Sequence, residues 1–348
     1  MWLINARREC SAIVRKCVHC FHYKPKLLSQ IMGNLPADRL RGNRPFEISG
    51  VDLFGPVRVS LGIRGKQPLK MYIAVFVCFA SKAVHLDIVK DLTSNTFILC
   101  LSRFVERRGP LVKLYCDNAT NFVGAARMLK ERMDAFNAKD EDLKAYAAAH
   151  SFSVEFIPPR APHIGALWES AVKSAKNLLL RAMGSAVLKE DELHTVLVDV
   201  EAVLNSRPLV VDSGSPNEGE VVTPAHLLVG RTLVSLPPES ELPRPDSSLS
   251  YLQRWQLVSA IKQRFWRDWS RDYLLSLQQR GKWSEEVANL EPGRVVAIHE
   301  DNVAQMWLTG IVEEAIPGAD GKVRVAVIRT KAGVYKRSIH RLAPIPLD

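Results

Sequence analysis

The alternation of apolar and polar positions divides the chain into a mixed strand–helix part and a strand-rich end. Short apolar runs bounded by turn residues predict strands, and apolar residues spaced three or four apart predict helices. The predicted strands are Phe46–Leu53, Met71–Phe79, Ala83–Val89, Val112–Cys116, Ser153–Ile157, Arg294–Ile298, Trp307–Val312, Lys322–Thr330 and Val334–Lys336. The predicted helices are Thr93–Arg107, Phe122–Phe136, Glu141–His150, Glu190–Asn205 and Tyr251–Gln279. This order predicts an α/β chain with a mixed sheet flanked by helices.

Changes in composition divide the chain into four segments. Residues 1–45 are basic and contain a CxxC pair, and residues 46–230 hold the α/β layer. Residues 231–289 join a proline-rich linker to a long aromatic and basic helix, and residues 290–348 are predicted to form a basic small β-barrel. The chain is therefore expected to contain several modules around one main core.

The charge of the chain indicates an anionic partner. The 348 residues carry a formal net charge of +10 with a pI near 9.4, which favours nucleic acid or an anionic membrane surface. No run of 18 apolar residues is present, so no membrane span is predicted, and no signal peptide is apparent. The six cysteines are scattered, as is typical of a reducing compartment.

Two acidic residues stand at strand positions where acids are uncommon. Asp52 interrupts an apolar strand just before Gly55-Pro56, which we expect to end that strand. Asp117 directly follows the predicted strand Val112–Cys116. It is followed by Asn118, an alanine, a threonine and Asn121. One such aspartate is more often a turn former than a ligand. Two of them can converge on a hard cation such as Mg²⁺.

A third acid lies on a predicted helix that follows a Pro-His-Ile-Gly loop. Glu169, Lys173 and Lys176 share one helical stripe, at spacings of four and seven. On the helix alone, a surface ion pair on a solvated helix is the favoured explanation of this stripe. The two upstream aspartates favour a functional role for Glu169.

These motifs together resemble a known family. The segments GVDLFGP at Gly50–Pro56, DNATNF at Asp117–Phe122 and PHIGALWE at Pro162–Glu169 are similar to the three catalytic blocks of retroviral-type integrases, most of all those of BEL/Pao long-terminal-repeat retrotransposons. The similarity extends to NSRPL at Asn205–Leu209 and TPAHLLVG at Thr223–Gly230. Two features depart from the family: Asp117 and Glu169 are 52 positions apart, longer than the roughly 35 of retroviral integrases, and Ala119 replaces a usual glycine.

The resemblance implies a ribonuclease-H-like fold in which Asp52, Asp117 and Glu169 bind Mg²⁺ (or Mn²⁺). It implies DNA integration, that is, end processing and strand transfer of retrotransposon DNA into target DNA, by a nuclear homo-oligomer. The expected DNA contacts are Lys173, Lys176, Asn118 and Asn121. Asn118, Thr120 and Asn121 are also expected to orient the metal-binding loop.

The resemblance also implies an N-terminal zinc module, of which only part is recognisable. Cys17 and Cys20 have the spacing of two Zn²⁺ ligands, but no histidine precedes them. Cys10, His19 and His22 are possible substitutes, and two cysteines on a helix that binds nothing are the other interpretation. We expect a truncated module with an incomplete zinc site, in a chain cut from a longer polyprotein.

Three functional interpretations remain open from the sequence. The chain is an integrase, a metal-dependent nuclease of the same fold that uses water, or a non-catalytic nucleic-acid-binding fragment of a retrotransposon polyprotein. The role of the long predicted helix Tyr251–Gln279 is also open, since its aromatic residues suit either base stacking or packing against the core. His226 is expected to be a packed core histidine rather than a catalyst. Asp87 and Asp91 are expected to be a surface residue and a cap residue rather than metal ligands.

Overall fold

The computed structural model describes most of the α/β part and the C-terminal part of the chain. The residues described are 5–18, 37–40, 44–63, 65–117, 119–137, 152–156, 176–211, 221–233, 251–278, 289–299, 305, 307–318 and 321–345. The predicted helix at 141–150 lies outside these ranges.

Residues 1–40 form a unit of their own, with helices α1 (Ala6–Lys16) and α2 (Ala37–Leu40). Every described side chain of α1 is exposed. Cys17 ends α1 with an extended backbone, and Cys20 lies outside the described residues. The predicted zinc module stays a prediction.

Residues 41–348 form the second unit, which is built on a mixed sheet. Its strands are β1 (Ile48–Ser60), β2 (Leu69–Cys78), β3 (Val84–Val89), β4 (Lys113–Cys116), β5 (Ser153–Phe156) and β6 (Leu188–Lys189). The order is β3-β2-β1-β4-β5, and β6 pairs with the end of β1. The β1–β2 and β2–β3 pairs are antiparallel, whereas β1–β4 and β4–β5 are parallel. The predicted mixed sheet is confirmed.

Helices cover both faces of this sheet. They are α3 (Ser94–Arg108), α4 (Thr120–Asn137), α5 (176–183), α6 (Glu190–Asn205), α7 (Pro224–Val229) and α8 (Tyr251–Leu277). One apolar cluster joins the sheet to α3 and α4, and a second joins its other face to α5, α6 and α8. We call the second side the α5 face. The two faces have separate cores because side chains alternate along each strand.

Strand β1 continues past the expected stop. Its pairing with β2 shifts register between Phe54 and Val57, so Gly55 and Pro56 form an irregularity rather than an end. Gly55 has φ of +148°, and a Cβ there would lie 2.9 Å from Cδ1 of Tyr72, so only glycine fits. Strands β1 and β2 pair on both sides of the bulge. Their hairpin therefore extends well beyond β4, which pairs with β1 only up to Gly50.

The long helix α8 belongs to the core. Phe265, Trp266 and Trp269 are 0–6% exposed and pack with sheet and α6 side chains, whereas Trp255 is 44% exposed. Its basic residues Arg254 and Lys262 form ion pairs with Glu192 and Asp199 of α6. Packing against the core therefore explains most of its aromatic stripe, and base stacking does not.

A five-stranded antiparallel sheet follows α8. It contains β9 (Val295–Ile298), β10 (Leu308–Pro317), β11 (Val323–Thr330), β12 (Gly333–Ser338) and β13 (Leu342–Pro344), in the order β12-β11-β10-β9-β13. One apolar cluster lies within the sheet, and another joins it to Leu274 of α8 and to the ribbon of β7 (Val210–Val211) and β8 (Val221–Val222). Closure into the predicted barrel stays a prediction.

Candidate active site

Asp52 lies near the middle of β1 and is half-buried. Its Oδ1 accepts a hydrogen bond from the backbone N–H of Leu53, at 2.7 Å. The residues that flank it, Val51 and Leu53, turn toward the α3/α4 core. The acid is therefore held on the rigid central strand of the sheet, as a precisely positioned ligand requires.

Asp117 follows the last residue of β4 and is half-buried. Its Oδ1 accepts the backbone N–H of Ala119 at 3.0 Å, which is the bond of an Asx-type turn. Helix α4 begins at Thr120, directly after this turn. The strand, the turn and the helix start thus fix the aspartate from both sides. Asn118 lies outside the described residues.

The pairing of β1 with β4 brings the two aspartates to the same level. The parallel register matches Ile48 with Lys113 and Gly50 with Tyr115. Continued by two residues, it matches Asp52 with Asp117. Neighbouring strands lie about 4.8 Å apart, and level residues on parallel strands point to the same side of a sheet. The two carboxylates are therefore neighbours on the sheet.

The alternation of side chains identifies the side on which the carboxylates lie. On β1, Ile48 and Phe54 share parity with Asp52, and both belong to the core of the α5 face. On β4, Tyr115 shares parity with Asp117 and packs against that same core. Both aspartates thus lie on the α5 face, toward the carboxyl end of β4. The core there also includes Leu178 and Leu179 of α5.

Of the remaining predicted site residues near α5, only Lys176 lies among the described residues. Lys176 is the first described residue of this helix and is half-buried. Glu169 and Lys173 lie outside the described residues, seven and three positions before it. Their roles stay predictions.

Asn121, in the first turn of α4, is a buried rather than a surface residue. It is 6% exposed, and its Nδ2 has no hydrogen-bond partner within the described ranges. A buried amide without a partner costs about 1–3 kcal/mol. An inward-pointing donor close to Asp117 suits a role in positioning the loop, which is one of the roles the sequence suggested.

Other titratable groups near the two aspartates have structural roles. Burial raises the pKa of the Cys116 thiol to about 12, with a further contribution from the charge of Asp117, so this cysteine is a neutral core residue. Asp87, expected at the surface, is 3% exposed and pairs with Arg103 at 2.7 Å, because a strand buried on both faces leaves it no route to solvent. Asp91 accepts bonds from Thr93 before α3, as expected of a cap residue.

Two motifs outside the acidic blocks form joints of the fold. Hydrogen bonds connect the end of α6 to other elements. Asn205 bonds with Val84, Arg207 donates to the carbonyl of Lys82, and the carbonyl of Pro208 accepts from Tyr273. In the second motif, the backbone N–H of Thr223 donates to Nδ1 of His226 at 3.1 Å, in a capping box that starts α7. His226 is half-buried and takes part in this helix cap, and its lack of a catalytic role stays a prediction.

The donor set suits a hard divalent cation. Two level carboxylates on one sheet face supply the one or two protein ligands that Mg²⁺ typically takes, with water and phosphate completing the shell. Among the residues described, no group of three or more His, Cys, Asp or Glu is placed to hold a metal. The same part of the chain holds no helix long and apolar enough to cross a membrane.

A family model matches one part of the chain. A family of unknown function, DUF5641, matches residues 253–345, which correspond to α8 and the C-terminal sheet. No curated protein matches this chain.

Several solved structures of viral integrases are similar in outline. A chain in the simian T-cell lymphotropic virus intasome, solved in complex with PP2A regulatory subunit B56 gamma, has 13% identity and a TM-score of 0.40, covering 97% of this chain and 91% of that chain. Two forms of the HTLV-2 integrase catalytic core domain in complex with magnesium also match. The dimeric form has 18% identity and a TM-score of 0.30 over 50% of this chain and 94% of that chain. The trimeric form has 17% identity and a TM-score of 0.33 over 54% of this chain and 99% of that chain. No residue of this chain is assigned from them.

Proposed function

We propose that this protein carries out phosphoryl transfer on DNA, as an integrase. The observation that carries the proposal is the parallel register of β1 and β4, which, continued by two residues from Gly50 and Tyr115, matches Asp52 with Asp117 on one face of the sheet. This register supports the proposal that two independent sequence motifs supply ligands to one metal site. Their resemblance to the catalytic blocks of BEL/Pao retrotransposon integrases supplies the reaction class, which is end processing followed by strand transfer.

In this proposal Asp52, Asp117 and Glu169 are the ligands of Mg²⁺. The bound metal would activate the attacking hydroxyl or water and offset charge on the leaving oxygen. The two aspartates contribute a rigid frame, since a strand centre and a strand-to-helix turn hold them. Glu169 is seven positions in sequence before Lys176, the first described residue of α5, and this helix packs on the same face.

The proposed substrates are the element ends and the target DNA. The net charge of +10 supports a polyanionic partner. The proposed contacts with the cleaved end are Lys173, Lys176 and Asn118, which lie beside the proposed ligands in sequence. Asn121 is proposed to position the loop that follows Asp117. By the same resemblance we propose a nuclear homo-oligomer.

The test is reversal of strand transfer on a branched DNA substrate with Mg²⁺. The native chain is expected to release and rejoin strands, and Asp117→Asn is expected to lose at least 100-fold in rate because it removes a metal-binding carboxylate. Asp272→Asn is the matched control, since this exposed aspartate of α8 has only a surface partner, Arg271. Its rate should equal that of the native chain.

Each outcome of this test is informative. Product from the native chain and the control alone supports the integrase assignment. Equal product from Asp117→Asn would overturn the role of that residue. Retained DNA binding without product in any variant would assign the chain a nucleic-acid-binding function instead.

A further inference from the structure

The outer half of the β1–β2 hairpin has one buried and one basic face. Val57, Val59 and Met71 are 1–4% exposed and belong to the core of the α5 face. Arg58 and Lys70 alternate with them and are exposed on the opposite side. We call the described residues 57–63 and 65–71 the basic arm. Because Val57, Val59 and Met71 are packed, the base of the arm is a fixed extension of the sheet, whereas Leu61, Ile63 and Leu69 farther out are 44–55% exposed.

The two basic residues of the arm lie directly opposite each other. The antiparallel register pairs Arg58 with Lys70. Like charges at such positions destabilise a sheet by up to about 1 kcal/mol. Neither residue forms an ion pair or hydrogen bond within the described part of the chain. No acidic residue is close in sequence, since no Asp or Glu occurs between Asp52 and Asp87. The same interval contains Lys66 and two further Lys or Arg residues besides the pair.

Protection of a sheet edge does not explain the pair. Lysines often blunt exposed strand edges, and Lys70 lies at such an edge, because β3 pairs with β2 only from Tyr72 onward. Arg58 lies on an interior strand, between β2 on one side and β6, which pairs from Val59, on the other. A charge in the middle of the sheet has no edge to protect. An external anion accounts for both residues.

The arm extends from the strand that carries Asp52. Strand β4 pairs with β1 only up to Gly50, so the arm projects beyond β4 at the end where Asp117 lies. Arg58 is six residues from Asp52, or about 20 Å along the strand. This length corresponds to about six base pairs of duplex. The bulge at Gly55 places Arg58 on the face opposite to that of Asp52, so the arm would contact phosphates away from the reacting one.

We infer that the basic arm is a docking surface for the phosphate backbone of duplex DNA. The inference rests on the proposed function, because it takes the bound polyanion to be the DNA that the carboxylates act on. The arm binds backbone and not bases, since Arg58 and Lys70 are two cations on a flat strand face and suit phosphate contacts. It therefore adds affinity without sequence preference.

The test compares DNA binding by two double variants of the full chain. In R58Q/K70Q the two paired charges of the arm are removed and Lys66 is kept. In R267Q/R271Q two exposed arginines of α8 are removed, each of which has an adjacent acid, Asp268 or Asp272. Both variants lose the same net charge. The readout is the dependence of affinity for a 30-base-pair duplex on salt concentration, measured by fluorescence anisotropy without Mg²⁺.

The expected result is a salt slope smaller by about two for R58Q/K70Q, and an unchanged slope for R267Q/R271Q. The thermal midpoint of R58Q/K70Q should equal or exceed that of the native chain, because a like-charge pair is removed. An unchanged slope in R58Q/K70Q overturns the inference, and so does an equal loss in both variants, which would reflect net charge alone. Binding without Mg²⁺ separates this result from a failure of catalysis.

Discussion

Two aspartates on different strands of the same sheet have opposite relations to their surroundings. Asp87 on β3 is buried, and its carboxylate meets the guanidinium of Arg103. Asp52 on β1 is half-buried and lies level with a second acid, Asp117. A carboxylate beside a base stabilises the fold, whereas two carboxylates side by side repel each other until a cation joins them.

This contrast predicts that Asp87→Asn and Asp52→Asn separate stability from activity. Asp87→Asn leaves a cationic partner half exposed, so we expect the free energy of unfolding to fall by about 1–2 kcal/mol. Asp52→Asn should leave stability unchanged or slightly higher and abolish strand transfer. Urea unfolding and the strand-transfer assay, made on both variants, check this. A large loss of stability in Asp52→Asn would show a structural acid instead of a ligand.

At the scale of elements, α6 closes the open edge of the sheet. Strand β3 is the outermost strand, and its outer backbone groups are bound by side chains. The backbone N–H of Val84 donates to Oδ1 of Asn205 at 2.8 Å, and Nδ2 of Asn205 donates back to the Val84 carbonyl at 2.7 Å. Glu201 accepts the backbone N–H of Leu86 at 2.9 Å. The edge is thereby protected from pairing with another chain.

This closure predicts a specific role for Asn205. In Asn205→Ala a buried N–H and a buried carbonyl lose their partners, so we expect a loss of about 2–4 kcal/mol in urea unfolding, with an unchanged m-value. The variant should also self-associate at high concentration, because part of the edge is open. Thr195→Ala on the exposed side of α6 is the control and should cost under about 0.5 kcal/mol. A monomeric Asn205→Ala variant of native stability would contradict the prediction.

Elements with a clear hydrophobic period could be predicted from the sequence, and tertiary relations could not. Helix α6 was predicted with its observed bounds, Glu190–Asn205, because its apolar stripe and flanking residues mark both ends. Strands β6 and β13, of two and three residues, have too few positions to show a period. The aromatic stripe of α8 fitted both a ligand and a core, since only its packing partner decides between them.

The candidate site shows the same division. Asp52 and Asp117 were identifiable because acids are uncommon in apolar strands. Their level position was not, because it depends on the parallel pairing of segments far apart in the chain. The pairing of Arg58 with Lys70 was missed for a related reason. The sequence pattern predicts that the strand ends at Gly55-Pro56. In the structure a bulge lies there, and β1 continues to pair with β2 beyond it.

At the scale of the molecule, one aromatic cluster connects the C-terminal sheet to the α/β core. Trp307, just before β10, meets Trp266 and Tyr273 of α8 with ring centroids 4.9 and 5.6 Å apart. Its indole N–H donates to Oγ of Ser206, at the end of α6, at 3.3 Å. Three elements that are distant in sequence thus meet at one side chain. The C-terminal sheet is therefore held in a fixed position relative to the candidate site.

The last prediction concerns this connection. Trp307→Ala removes the only indole that the C-terminal sheet contributes to the described cluster, so we expect a loss of about 3 kcal/mol. We also expect the single unfolding transition of residues 41–348 to split in two, as the sheet loses its coupling to α8. Trp255→Ala, a half-exposed tryptophan on α8 away from the cluster, should keep one transition. Calorimetry distinguishes the two variants, and a single transition in Trp307→Ala would show that the apolar contacts of Leu274 and Val295 suffice to couple the sheet to the core.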